Sequence, residues 1–220
     1  MNLKVHLLWA FIISVVSLIG FSMMALTISS HHIALFDKAV ISFVQGFENP
    51  TLTSIMKIFT YIGNTKSVIV VSLLVLFFLF LTLKNHSEFV LFTIFIIATP
   101  ILNGILKNFF HRARPDLHRL IEIGGYSFPS GHAMNAMAAY GMIAFLLWRH
   151  LRSALGRTVL ILICSVFILM IGISRIYLGV HYPSDIIAGY FASGFWLSTV
   201  IWFFQRYREK LFEARIIPKK

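Results

Sequence analysis

"GISRIYLGVHYPSDIIAG", residues 172–189, joins two long apolar runs, yet it carries Arg175, His181 and Asp185 within eleven positions. The runs on either side, 157–178 and 183–205, each approach the roughly 20 apolar residues that a helix needs to cross hydrocarbon. The stretch therefore reads as a hinge between two membrane spans, with charge held at the seam. The rest of the chain agrees. Of its 220 residues 58% are hydrophobic and only 12% charged, and the mean hydropathy is +0.84. A soluble domain has about a quarter of its residues charged. The apolar excess has to face lipid, so the expected fold is all-α: one polytopic membrane domain, residues 1–220, built as a helix bundle.

Six spans are expected, over 5–28, 66–84, 88–110, 131–149, 157–178 and 183–205. The first follows Lys4 as a signal peptide would. However, Val5 to Ser29 is too long for a signal core and has no small-x-small cleavage site, so it reads as a retained helix. Between the first two spans, Phe36, Val40, Phe43, Val44 and Phe47 alternate with Asp37, Lys38 and Glu48. That spacing predicts a short amphipathic helix lying on the membrane surface. Thr51 to Tyr61 is a candidate second helix. Cys164 is the single cysteine, which rules out an intrachain disulfide.

The formal charge of +11 does not mark a nucleic-acid binder, because the basic residues sit at span ends rather than on a soluble surface. With six spans both termini share a side. That side holds eleven basic residues (Lys4, Lys84, Arg149, Arg152, Arg157, Arg206, Arg208, Lys210, Arg215, Lys219 and Lys220) against eight on the other. The bias predicts cytoplasmic termini. Trp9, Trp148 and Trp202 fall near span ends, where interfacial aromatics collect.

On this plan the ends of spans three and five and the starts of four and six lie on one face, the extracytoplasmic one. Three polar stretches occupy those places: "KNFFHRARP" at 107–115, "PSGH" at 129–132 and the opening stretch. Lys107, Arg114 and Arg175 are more positive charge than Asp185 neutralises, and cations beside lipid need an anion. A phosphate supplies it, and arginine matches its oxygens with a forked pair of donors. "PSGH" opens a helix, where unpaired amides carry partial positive charge. Ser130 can cap that helix, and Gly131 lets backbone approach an anion. Asp185, early in its helix, can reach back to fix the tautomer of His181, which makes the imidazole a nucleophile. His132 is placed to protonate a leaving oxygen.

These three parts, Lys-x6-Arg-Pro, Pro-Ser-Gly-His and Ser-Arg-x5-His-x3-Asp, together resemble the signature of the type 2 phosphatidic acid phosphatase superfamily. These are integral-membrane lipid phosphate phosphatases that share a core with vanadium haloperoxidases and bacterial class A acid phosphatases. The match runs from Lys107 to Asp185. The resemblance implies that Lys107, Arg114, Ser130, Gly131 and Arg175 bind phosphate. His181 would form a phosphohistidine, His132 would act as general acid and Asp185 would orient His181. Ser174 would pack. It implies neither metal nor other cofactor, and a hydrolase whose partners are the bilayer and a phospholipid or polyprenyl phosphate. Undecaprenyl diphosphate is the preferred substrate, with phosphatidylglycerophosphate close behind. A lipid phosphotransferase on the same residues, or a non-catalytic binding or transport protein, are the alternatives. Outside the motifs, Arg112 and Arg119 read as rim charges. His31, His32, His86, His111, His118 and His150 read as loop or interface residues. The oligomeric state stays open.

Overall fold

The computed structural model describes residues 3–30, 33–83, 86–116 and 118–216. Eight helices follow one another with no strand among the described residues: α1 (Leu3–Ser29), α2 (Ala34–Gln45), α3 (Pro50–Ile62), α4 (Thr65–Leu83), α5 (His86–Phe110), α6 (Gly131–Trp148), α7 (Ala154–Tyr177) and α8 (Pro183–Ile216). Several starts are written in the sequence. Asn49 caps α3 by accepting from the Leu52 amide at 2.9 Å, with Pro50 in the first turn. Ser130 caps α6, and Ser153 caps α7 through the Gly156 amide. In each case the side-chain oxygen takes up an amide that has no acceptor inside the helix.

Four helices are long and apolar enough by themselves to cross a membrane: Val5–Ser29, Phe89–Phe110, Ala154–Tyr177 and Pro183–Tyr207. α3 and α4 meet that measure together, bent by 61° at the break between them, which allows a fifth. α6, counted among the six expected spans, does not reach it. The reason is its position. α6 is walled by α4, α5, α7 and α8, with ten buried residues, so it meets protein rather than lipid and can hold His132 and Asn135. α1 and α4 show the opposite pattern, with Phe11, Val16, Ile19, Leu73, Leu74 and Phe77 exposed. Exposed leucines and phenylalanines are what a helix presents to hydrocarbon.

The core is continuous between α5, α6 and α8 through Phe92, Phe95, Ala138, Met142, Leu146 and Leu197. Small residues bring backbones close where α8 crosses its neighbours. Gly189 lies against Ala133 and the Ser130 carbonyl, and the Ser193 hydroxyl donates to the Met134 carbonyl at 2.8 Å. Along α1, Ser14 shares a 2.9 Å hydrogen bond with Thr199 of α8.

The segment between α1 and α4 holds two helices. Leu35, Phe36 and Phe43 of α2 and Phe47 just after it are exposed. The inward residues of α2, however, are Ile41 and Asp37, and Asp37 is 1% exposed. A carboxylate read as a polar spacer is thus turned into the protein, where α2 packs on α7 and α8.

Candidate active site

The turn between α7 and α8 is set by its glycine. Gly179 has φ of +70°, and a Cβ there would collide with the His118 carbonyl oxygen. The Gly179 amide donates to Ile176 O, and the Val180 amide to Arg175 O at 3.2 Å, which closes α7 with the paired bonds of a glycine C-terminus. The His181 amide also donates to Arg175 O, at 3.3 Å. The backbone of His181 is therefore tied to that of Arg175. Next, the Ser130 amide donates to the Asp185 carbonyl at 3.1 Å, which joins the start of α6 to the start of α8. In this way the second and third polar stretches meet.

His181 is 1% exposed. Its Nε2 lies 3.0 Å from Arg114 Nη1 and its Nδ1 3.4 Å from Asp185 Oδ2. Arginine can only donate, so Nε2 accepts and the imidazole proton sits on Nδ1, facing Asp185. Burial pushes the His181 pKa down to about 3, although the hydrogen bond and charge of Asp185 pull the other way. The ring is neutral near pH 7, with its free lone pair on Nε2.

Arg114 also donates to the carbonyls of Gly124, Gly125 and Val180. Lys107 Nζ donates to the Tyr126 carbonyl at 2.9 Å and lies within electrostatic range of Arg114, Arg175 and Asp185. Arg175 is 1% exposed and hydrogen-bonds the Thr60 hydroxyl, while its Nε has no partner. No carboxylate pairs with it among the described residues. A buried guanidinium with an orphaned donor is costly unless an anion completes it. His132 donates to the Thr60 backbone and feels Arg175, His181 and Lys107. All eight residues singled out in the three motifs therefore converge on one end of the bundle. The carbonyls and the Thr60 hydroxyl that now occupy the cations are weak acceptors, which a phosphate's charged oxygens can displace.

Several polar residues of the site had no place in the motif reading. Asn103, one turn before Lys107 on α5, donates to the Pro129 carbonyl at 3.1 Å, and its Oδ1 would lie 2.8 Å from a Cβ on Gly131. It holds the turn before α6 and packs closely over Gly131. Ser127 is fully buried and donates a short hydrogen bond to Asp185. Arg112 corrects the rim assignment: its Nη1 is 2.5 Å from Asp185 Oδ1 and its Nη2 2.8 Å from Asp37 Oδ2. Arg119 does stay at the edge, on Asp116 and the Pro115 carbonyl. His118 pairs with Glu48 at 2.9 Å on the surface. His31 and His32 lie outside the described residues. A polar residue one turn from a motif lysine inside an apolar run was the available signal for Asn103. For Asp37 it was being the single acid in α2.

The family model described as the PAP2 superfamily matches residues 88–209. Phosphatidylglycerophosphatase B of Bacillus subtilis is 29% identical over 171 residues, which cover 77% of this chain and 84% of that protein. The lipid A 1-phosphatase of Rhizobium johnstonii is 32% identical over 113 residues, 47% of this chain and 42% of its own. Among solved structures, the transmembrane PAP2 type phosphatidylglycerolphosphate phosphatase from Bacillus subtilis superposes with a TM-score of 0.77 at 27% identity. That match covers 94% of this chain and 98% of the other. Aquifex aeolicus LpxE gives a TM-score of 0.58 at 25% identity, over 75% and 93% of the two chains.

Proposed function

The chain belongs to the PAP2 superfamily, and from that premise we propose that it is a lipid phosphatase that hydrolyses phosphatidylglycerophosphate through a phosphohistidine. The observation that carries the mechanism is the pairing of His181, with Nδ1–H toward Asp185 and Nε2 toward Arg114. Lys107, Arg114 and Arg175 hold the phosphate oxygens, helped by Ser130 and by the Gly131 amide at the open start of α6. When the anion draws Arg114 away, the Nε2 lone pair is released toward phosphorus. Nε2 forms the N–P bond as the P–O bond to the lipid breaks, and His132 gives the departing oxygen a proton. Asp185 holds the ring in line while Nδ1 keeps its proton. Water then attacks phosphorus, His132 takes the proton back, and phosphate leaves as the N–P bond breaks. The cations balance the charge that spreads over the equatorial oxygens, so the reaction needs no metal.

Residues 1–220 act as one membrane-embedded unit with six spans, α6 being the protein-walled one and α3–α4 a bent one. Both termini are cytoplasmic, so the site faces the extracytoplasmic leaflet and α2 rests its phenylalanines on that surface. The relatives favour phosphatidylglycerophosphate. Undecaprenyl diphosphate, which an outward site also suits, is the comparison substrate. Purified protein in detergent with chelator present is expected to release phosphate from phosphatidylglycerophosphate and to give a labelled phosphoenzyme stable to alkali and labile to acid. Substrate bound without phosphate release would instead mark a binding protein. Phosphoryl transfer to an added alcohol in preference to water would mark a phosphotransferase.

A further inference from the structure

We propose that Asp37 is a positioning residue of this site, acting through Arg112 on the carboxylate that orients His181; the inference rests on the phosphohistidine reading above. Arg112 lies between two carboxylates that come from opposite parts of the chain. One of its terminal nitrogens meets Asp185 Oδ1 at 2.5 Å, the other Asp37 Oδ2 at 2.8 Å. Ser184, next to Asp185, completes the cluster. Its hydroxyl accepts from Arg112 at 2.8 Å and donates to Asp37 at 2.7 Å, and its amide donates to Asp37 Oδ1 at 2.9 Å. The carboxylates of Asp37 and Asp185 are essentially without solvent, and the Arg112 side chain is 16% exposed. The Arg112 guanidinium also stacks over Tyr182, 4.1 Å from the ring centroid.

Asp185 Oδ2 already takes Ser127, the Tyr182 amide and His181. Oδ1 takes Arg112. With one oxygen pinned to Arg112, the carboxylate cannot rotate and the other oxygen stays on Nδ1. A guanidinium is planar, so its second nitrogen fixes the plane only if something holds it, and Asp37 is what holds it. The two charges on Arg112 also matter electrostatically. Asp185 alone with Arg112 would sit in a neutral pair. The second carboxylate leaves a net negative charge facing the imidazolium that forms when Nε2 bonds to phosphorus. Asp37 comes from α2, outside residues 88–209, so this contact extends the site beyond the matched family core.

The test is a kinetic cycle on full-length protein in detergent with phosphatidylglycerophosphate, using Asp37→Asn, Asp185→Asn and the double variant. Asp37→Asn keeps the shape but removes the charge and replaces one of the two accepting oxygens with a donor. Its kcat is expected to fall about 10- to 100-fold, with KM within about threefold because the phosphate-gripping side chains are untouched. In the Asp185→Asn background the same change is expected to cost less than about threefold, since its effect travels through Asp185. Wild-type kcat in Asp37→Asn overturns the proposal. So does an equal loss in both backgrounds, which marks general destabilisation. Ser184→Ala, which removes the hydroxyl between Arg112 and Asp37, is the second variant if Asp37→Asn elutes misfolded. It is expected to lose kcat with KM held, and unchanged kcat counts against the proposal. If Asp185→Asn and His181→Ala themselves keep full phosphate release, the phosphohistidine reading has failed instead, and the two failures are told apart.

Discussion

The two ends of α6 differ in a way that separates space from chemistry. At its C-terminal half, α6 borders a cavity of about 800 Å³, walled by Met137, Tyr140 and Ala144 together with Cys164 of α7 and Leu197 and Ile201 of α8. At its N-terminus Ser130, Arg175, His181 and Asp185 are almost without solvent, with His132 half-buried beside them. The cavity lies among side chains with hardly a charge. The other end holds Lys107, Arg114 and Arg175, an imidazole with a fixed tautomer and a helix start. Reaction is governed by where donors and lone pairs point, so the N-terminal end is the one that can do chemistry.

The strongest way to break this contrast is at the proposed nucleophile. His181→Ala is expected to lower phosphate release at least about 10³-fold, since covalent catalysis has no substitute at that position. Protein purified in detergent and assayed for phosphate checks it. Residual activity near wild type would remove the reason for assigning the reaction to this end.

Arg175 gives the next largest effect and a more unusual sign. Its Nε is orphaned and no carboxylate faces it among the described residues. Replacing a buried, poorly compensated charge with an apolar side chain of similar length is often neutral or stabilising. Arg175→Met is therefore expected to lower kcat/KM about 10²- to 10³-fold while leaving the melting temperature of the ligand-free protein unchanged or higher. A large fall in melting temperature would show that the arginine is structural, and the contrast between the two ends would then concern stability rather than catalysis.

These residues show what a sequence can carry. Lys107, Arg114, Ser130, Gly131, His132, Arg175, His181 and Asp185 are legible because their spacing follows helix ends that hydropathy already marks. Asp37, Thr60 and Asn103 are not, because each reaches the site by docking of separate elements; Arg112, Ser127 and Ser184 neighbour the motifs, but their partners Asp37 and Asp185 are fixed only by that docking. Asp37 illustrates the physics. In a chain surrounded by lipid, apolar residues no longer signal the inside, so α2 turns its phenylalanines out and its one carboxylate in. α6 fails the same rule in reverse: it is less apolar than its neighbours because four helices pack against it. The break between α3 and α4 was legible, since Thr51 to Tyr61 stood apart from the span at 66 across Gly63, Asn64 and Thr65, but the 61° bend between the two helices was not.

A smaller effect concerns pH. The folded protein holds His181 near pKa 3 against about 6.5 when unfolded. Between those values the unfolded chain binds a proton that the folded chain refuses. Stability from this group is thus fully present above about pH 6.5 and is lost as pH falls toward 3, by about 2 kcal/mol at pH 5. Denaturation of ligand-free protein at pH 7 and pH 5 is expected to show this loss, and His181→Asn to lack it. An equal loss in His181→Asn would mean that the imidazole is solvated rather than buried.

The smallest expected effect belongs to the roomy end. Ala144→Leu adds three carbons beside an opening of about 800 Å³, a site that can absorb them without displacing the helices around it. Leucine also suits a helix interior nearly as well as alanine. Phosphate release is therefore expected to stay within about twofold of wild type, in both kcat and KM. This near-silence is informative because a lipid chain is long. If the substrate's tail reached down α6 during turnover, filling the opening would raise KM with kcat held. A tenfold rise would join the two ends into one binding site, with the apolar half recognising the tail and the charged half the phosphate. Unchanged KM keeps them apart, and leaves substrate choice to the surfaces around Lys107, Arg114 and α2.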